Sequence, residues 1–546
     1  MSSDDIKEEK GRDPTANALA QTASYGEGNV QDIDDPAVRD FYGSCLSDSY
    51  RLKSELVSKQ LTEIGMGKYQ WCLFVVTGFG WITDNFWSQG ISTVQPAMAM
   101  EFADITKRSY SSVAYYVGLI LGASFWGISA DFIGRKPAFN ATILIGGIFG
   151  CAVAGAQNFI AFSALWAVIG TAAGGNVPVD SMIFLEFVPG SHQWLLTALS
   201  AWWNFGQVIV SLIGWVFLAN YSCPSGSDYT TCSRRDNMGW RYTMITLGAL
   251  ALAFAIIRIF VFKMPESPRY LLSKGRDAEA VDAVNYIARF NGKPETLTLA
   301  MLHDIDVSLG MATTPTPTDA DVKTQKLSRR DIMRENLKDY KGVNYKSLFA
   351  TPKFALHTSL IWLIWLTIGI AYPLYFGFLP SYLETKFSAA TSLDITYRNY
   401  CIVSATGVLG PLAAAFLVEP RRLTVGGGRR SMMGLSALLT GVFLFAYTAA
   451  ATETQDLAFQ CVTGILGNFE YAVMYAFTPE SFPAPLRGTA TGTAATLLRV
   501  GGLVAAVVSA NVGFSTVPIY VSAALWVGVG VVCVGLPFET AGHAAV

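Results

Sequence analysis

The chain has 546 residues, of which 51% are hydrophobic and 15% charged, with a mean hydropathy of +0.36. Soluble domains carry about 25% charged residues, so the array of three or four soluble domains that the length alone suggests is excluded. The formal net charge of −2 offers nothing to a nucleic acid, and the eight cysteines have no metal-ligand spacing.

Residues 1–68 open the chain as a polar segment, with no short cleavable signal. Residues 1–48 are rich in Gly, Ser, Asp and Asn and read as a disordered tail, and 49–66 as a short amphipathic helix on a membrane surface. Apolar runs then recur at 69–92, 109–130, 137–156, 159–188, 194–219 and 240–262. After a polar interval they resume at 354–383, 399–418, 431–451, 456–478, 485–510 and 514–536. Each is near the ~20 residues that cross a hydrocarbon core as a helix. The expected organisation is a tail (1–68), a six-helix half (69–262), a central loop (263–353), a second half (354–538) and a short tail (539–546). Within the central loop, Val281, Val284 and Ile287 recur at helical spacing, and 311–330 reads as a flexible linker.

Basic residues orient the array. Arg135, Lys136, Arg269, Lys274, Arg421, Arg422, Arg429, Arg430 and Arg487 fall in loops of one parity, which the positive-inside rule assigns to the cytoplasm with both termini. One opposite loop holds Cys223 and Cys232, where a disulfide is available, and the glycosylation sequon at Asn220.

The loop Gly127-Ile-Ser-Ala-Asp131-Phe-Ile-Gly134-Arg135-Lys136 joins two apolar runs. Gly134 permits positive φ, and an acid such as Asp131 is not required merely to turn a chain. Three further stretches stand at matched places. Pro265-Glu266-Ser-Pro-Arg269 follows the sixth run, and Pro479-Glu480-Ser-Phe-Pro-Ala-Pro-Leu-Arg487-Gly the tenth; Gly174-Gly-Asn176-Val-Pro-Val-Asp180 precedes Glu186 in the fourth. The halves repeat each other, with Glu186-x-x-Pro189 matching Glu480-x-x-Pro483 and the Asp131 loop matching Glu419 through Arg429. The repeat is imperfect, since Gln193 stands where the second half has Arg487.

Over residues 69–540 these motifs resemble the major facilitator superfamily, in its sugar-porter, organic-ion and synaptic-vesicle-glycoprotein-like branch. The resemblance implies an all-α membrane fold of twelve transmembrane helices in two pseudo-symmetric halves, acting as a monomer in the plasma membrane. It implies alternating access, with Gly127, Asp131, Gly134, Arg135, Lys136, Glu186, Glu266, Arg269, Glu419, Arg429, Glu480 and Arg487 as the gating set. Neither an enzymatic constellation nor a cofactor or metal motif stands out.

Ionisable groups deep in a bilayer are costly unless paired or hydrated. Asp84 and Asp180 are the candidates for proton coupling. Arg258 and His357 are read as lying near helix ends, within snorkelling reach of the surface. The polar and aromatic positions expected around a central cavity are Trp81 and Asn85 on the first run, Asn176 on the fourth, and Trp203, Asn204 and Gln207 on the fifth. The second half adds Tyr372, Tyr375, Asn468, Glu470, Tyr471 and Arg499. Glu470 is the expected counter-ion of Arg499, on depth along the helix. Gly118, Gly122 and Gly127, with Gly492 and Gly501, are expected where helices slide. The expected function is proton-coupled transport of a small organic anion. Sugar or polyol symport, efflux of a metabolite or drug, and a non-transporting sensor on the same fold are the alternatives.

Overall fold

A backbone inside a bilayer must satisfy its own polar groups, and long apolar runs do so as helices. The computed structural model describes residues 48–102, 110–192, 194–224, 227, 229–310, 345–376, 393–418, 428–512 and 516–540, and among them it contains helices and no strand. Twelve long helical segments correspond to the twelve apolar runs. In the first half these are Lys68–Glu101, Tyr110–Ile133, Arg135–Val153, Phe159–Phe187, Leu195–Tyr221 and Gly239–Val261. In the second they are Pro352–Phe376, Leu393–Gly407 continuing as Leu409–Leu417, Arg429–Tyr447, Glu453–Glu480, Ala484–Val512 and Val517–Val534. They are called the first to twelfth spans below.

Among the described residues, nine of the twelve are long and apolar enough to cross a membrane by composition. The first and tenth spans carry more polar residues, many of them buried, including Asp84, Asn85, Asn468 and Glu470. Several boundaries differ from the sequence expectation. The first span continues through Pro96 to Glu101, and the turn expected at 131–136 narrows to Gly134 alone. Gly134 has φ +97°, a left-handed conformation that favours glycine, and caps the third span. The segments 311–344, 377–392 and 419–427 lie outside the described residues.

One face of the bundle carries Gly134, Arg269, Arg429 and Arg487, and is called the basic face. The opposite face carries the disulfide between Cys223 and Cys232. On the basic face the helix Asp48–Ile64 packs its apolar residues on protein, where the sequence suggested a membrane surface. Its apolar residues Val57, Leu61 and Ile64 join a buried cluster with Leu271, Val284, Ile287 and Leu302 of the central interval. Lys53 ties it there, donating to Asp277 and to Asp306 (2.6 Å). The helix Asp277–Phe290 in turn ends at Asn291, whose Oδ1 accepts from the Tyr69 amide at the start of the first span (2.9 Å).

The half-repeat is visible in how the third and ninth spans begin. Glu266 accepts from the Arg135 and Lys136 amides (2.9 and 3.4 Å), and Glu539 from those of Arg429 and Arg430 (both 3.0 Å). A carboxylate satisfies the orphan N–H groups of a helix start and suits its positive dipole end. Burial pushes the Glu266 carboxyl up, against the pull of the Arg135, Ser267 and Lys136 amides.

Candidate functional site

The two halves meet along two seams, the second span against the eleventh and the fifth against the eighth. Between them lies a central cavity lined from both halves, offering ≈ 130 Å³ to the centre of a water molecule. One water needs ~10–15 Å³ of such space, so the cavity holds a ligand of roughly ten heavy atoms.

Its chemistry is concentrated in a few side chains. Asp84 of the first span accepts from Trp203 Nε1 of the fifth (3.1 Å) with one oxygen, and its other oxygen has no hydrogen-bond partner. Arg499 of the eleventh span is the cation whose field acts on Asp84. Arg499 Nη1 donates to the Ala495 carbonyl (3.0 Å), its Nε has no partner, and no described carboxylate comes within the 4.0 Å of an ion pair. The wall is aromatic. Trp203 and Tyr471 face each other across the halves, 6.2 Å between ring centroids and 6° from parallel. Tyr372 stands edge-on to Tyr471 at 5.1 Å, and Trp81 to Tyr475 at 5.3 Å.

Of the expected cavity residues, Trp81, Asp84, Trp203, Asn204, Tyr372, Asn468, Tyr471 and Arg499 line it. Asn85 instead donates to the Trp203 carbonyl, and Asn176 to Thr83 Oγ1 (3.5 Å), so both join helices within the first half. Gln207 is buried beside Tyr400, and Tyr375 bonds Thr463 (3.1 Å) inside the second half. Glu470 is not the counter-ion of Arg499. Its carboxylate is fully buried, does not line the cavity and has no hydrogen-bond partner. Glu470 sits about 100° around the helix from its neighbour Tyr471, which takes the cavity face. Gln89, Tyr116 and Tyr475 also line the cavity; helical spacing from Trp81 and Tyr471 reaches Gln89 and Tyr475, and nothing in the sequence marks Tyr116.

Asp180 is paired rather than poised over the cavity. Arg258 Nη2 donates to it (2.9 Å) and to the Val76 carbonyl (2.9 Å), Nη1 donates to the Phe139 carbonyl (2.7 Å), and the guanidinium lies 3.6 Å from the Phe139 ring centroid. Arg258 therefore does not snorkel. It belongs to a π-turn, Ile257–Val261, closed by the Phe262 amide on the Ile257 carbonyl (3.0 Å). His357 is buried too, within ring contact of Phe477 and Phe482.

The described residues of the expected gating set gather on the basic face. Arg135 pairs with Glu186 and Arg429 with Glu480, one ion pair in each half. Arg487 Nε donates to the Pro479 carbonyl (2.7 Å), and Arg269 to Ser58 Oγ (2.8 Å). Lys136 is capped at its amide by Glu266, and Gly127 meets Gly492 across the seam at van der Waals distance. The side chain of Asp131, and all of Gln193 and Glu419, lie outside the described residues. On the opposite face three hydrogen bonds cross between halves: Trp215 Nε1 to Asp394 (2.7 Å), Tyr397 hydroxyl to the Thr93 carbonyl (3.4 Å), and Tyr400 to Gln89.

Two six-helix halves closing on a polar, aromatic cavity at mid-bundle define a secondary transporter. The chain belongs to the Major Facilitator Superfamily, whose family model matches residues 71–505. It is an integral multi-pass membrane transporter, and its family is non-enzymatic. It is 65% identical to "Major facilitator-type transporter hxnZ" of Emericella nidulans, over 95% of this chain and 92% of that protein. It is 44% identical to "MFS siderochrome iron transporter 1" of Ceriporiopsis subvermispora, over 96% and 100%. It is 25% identical to "Niacin transporter NiaP" of Acinetobacter baylyi, over 83% and 89%. Among solved structures, the proton:xylose symporter XylE superposes with a TM-score of 0.65 at 16% identity, covering 87% of this chain and 98% of that one, which is a likeness of fold.

Proposed function

We propose that the protein carries a small planar organic anion, an aromatic monocarboxylate, in symport with a proton. The observation that supports this reading is Arg499, a cation with a spare donor, opposite Asp84 in an aromatic cavity shared by the two halves. A guanidinium fork matches a carboxylate in two parallel hydrogen bonds. The near-parallel Trp203 and Tyr471 rings offer a flat substrate two π-faces. Niacin, in the name of one relative, is a pyridine carboxylate that suits such a cavity, whereas the siderochrome named for another is a different class of cargo; the cavity chemistry favours the first. A sugar would leave the charges unanswered.

Coupling follows from competition. A substrate carboxylate and Asp84 compete for the same guanidinium, and a proton on Asp84 removes the competitor. Proton and anion then favour each other's binding by the same factor. Asp180 already has Arg258, so Asp84 is the proton carrier. Opening the basic face requires the contacts around Arg135–Glu186, Arg429–Glu480 and the Gly127–Gly492 seam to rearrange. By the positive-inside rule that face is cytoplasmic, and the protein works as a monomer in the plasma membrane.

Proteoliposome assays with niacin, benzoate and a neutral sugar test the reading. Arg499→Lys should lose at least about tenfold in carboxylate affinity, worth ~1.4 kcal/mol, with yield unchanged. Asp84→Asn should abolish accumulation driven by a pH gradient while exchange at equilibrium stays measurable. Wild-type uptake of every ligand by Arg499→Lys would remove the anion reading. Persistent gradient-driven accumulation in Asp84→Asn would remove Asp84 as the proton site.

A further inference from the structure

The eighth span is broken at Val408, running Leu393–Gly407 and resuming as Leu409–Leu417. Pro411, four residues beyond Gly407, has no N–H to give, so the Gly407 carbonyl lacks its helical donor. Two amides converge on this break from different halves, Asn204 of the fifth span and Asn468 of the tenth. A methyl group placed on Gly407 would lie 3.0 Å from Asn468 Nδ2 and 3.7 Å from Asn204 Oδ1. The two side chains belong to residues only 1% and 5% exposed. Asn468 Nδ2 donates to the Gly464 carbonyl (2.8 Å), which fixes its Oδ1 as the acceptor end. That oxygen and Asn204 Oδ1 are both buried without a hydrogen-bond partner. Buried acceptors are satisfied in the great majority of native structures, and Asn204, Asn468 and Pro411 all line the cavity that holds Arg499.

Two parts of the cavity lining therefore ask for opposite things. Arg499 presents donors and a positive charge, and Asn204 and Asn468 carry neutral amide oxygens without a partner. We infer that the substrate is bipolar: its carboxylate sits on Arg499, and a hydroxyl or N–H group elsewhere on its ring donates into the amide oxygens of Asn204 and Asn468. The inference rests on the anion reading above and narrows it from any aromatic carboxylate to one bearing a hydrogen-bond donor. A site built to bond a donor discriminates against analogues that lack it, because its own acceptors are then left unpaired. Discontinuous helices in transporters also present carbonyls to cations, so sodium is a rival occupant that the measurement must address.

The experiment compares benzoate, 3-hydroxybenzoate and 3-methoxybenzoate binding to the purified full-length protein, in sodium-free and in sodium buffer. The methoxy compound keeps the bulk of the hydroxyl and removes its donor. The hydroxy compound should bind more than about tenfold tighter than either of the others in wild type, with no effect of sodium. Gly407→Ala, which fills the gap between the amides, and Asn468→Leu should bring that ratio to within about threefold. The wild-type ligand series decides the matter even if either variant folds poorly. Equal affinity for all three compounds sinks the subsite and leaves the anion reading standing, whereas absence of binding by all three sinks both. A ratio unchanged in both variants overturns the assignment of these residues. Sodium that strengthens benzoate to the level of the hydroxy compound overturns the donor in favour of a cation.

Discussion

Asp180 and Arg258 are both fully buried and meet at 2.9 Å, with the Phe139 and Val76 carbonyls accepting from the guanidinium Nη1 and Nη2 as well. Removing one member of such a pair strands the other, which costs ~3–5 kcal/mol, while replacing both by apolar groups of similar volume costs far less. Asp180→Asn and Arg258→Met should each lower the unfolding temperature in detergent markedly, and Asp180→Leu with Arg258→Met should be no worse than the poorer single variant. Additive losses would mean that the two do not act as a unit. At this scale charge was the readable signal. Asp84 and Arg499 stand out as ions within apolar runs, and both line the cavity. The partner of each ion was not readable, because partners depend on azimuth. Arg258 is held by groups of three other spans, Asp180, Val76 and Phe139, and Glu470 stands on a different side of its helix from the cavity-lining Tyr471; neither fact is contained in position along a helix.

The second span shows how differently equal-looking glycines behave as parts of a helix. Gly118 and Gly122 press on the backbone of the fourth span at Ala167 and Thr171, so both belong to a contact inside the first half. Gly501 likewise presses on the seventh span at Leu366 and Gly369. Only Gly127, of the three on the second span, faces the other half, 3.5 Å from Gly492 Cα measured from an added Cβ, an ordinary contact. Gly118→Ala and Gly122→Ala should each cost ~1–3 kcal/mol by overpacking and depress yield, whereas Gly127→Ala should fold normally. Thermal unfolding of the three variants is the check, and a Gly127→Ala as damaged as Gly122→Ala would contradict the packing described. Sequence pattern located these helices well, since hydropathy and small-residue content survive without any neighbour. It assigned all the glycines to sliding seams because which helix lies opposite is a tertiary fact.

Taken whole, the molecule is joined across its halves on both faces around a central cavity. Tyr400–Gln89, Tyr397–Thr93 and Trp215–Asp394 bridge the disulfide face, while the second and eleventh spans close together near Gly127 and Gly492 on the basic face. Weakening the first set alone should tilt the population toward opening there. Tyr400→Phe with Asp394→Ala should speed thiol labelling of Ser92→Cys, a cavity-lining position, in a background where Cys45, Cys72, Cys151, Cys401, Cys461 and Cys533 are replaced. Labelling at the parental rate would show that these bonds do not hold the face shut. The two-half plan was legible from the repeated motifs. The docking of Asp48–Ile64 onto the central helices was not, because an amphipathic face does not say whether lipid or protein will cover it.

The carboxylate that caps the ninth span belongs to Glu539, five residues beyond the end of the twelfth span at Val534. The stretch after that span is thus a working part, and it constrains how the protein can be handled in the laboratory. A stop codon after Gly535 would strip a helix start nearly 110 positions upstream of its acceptor, whereas an affinity tag fused beyond Thr540 leaves that cap in place.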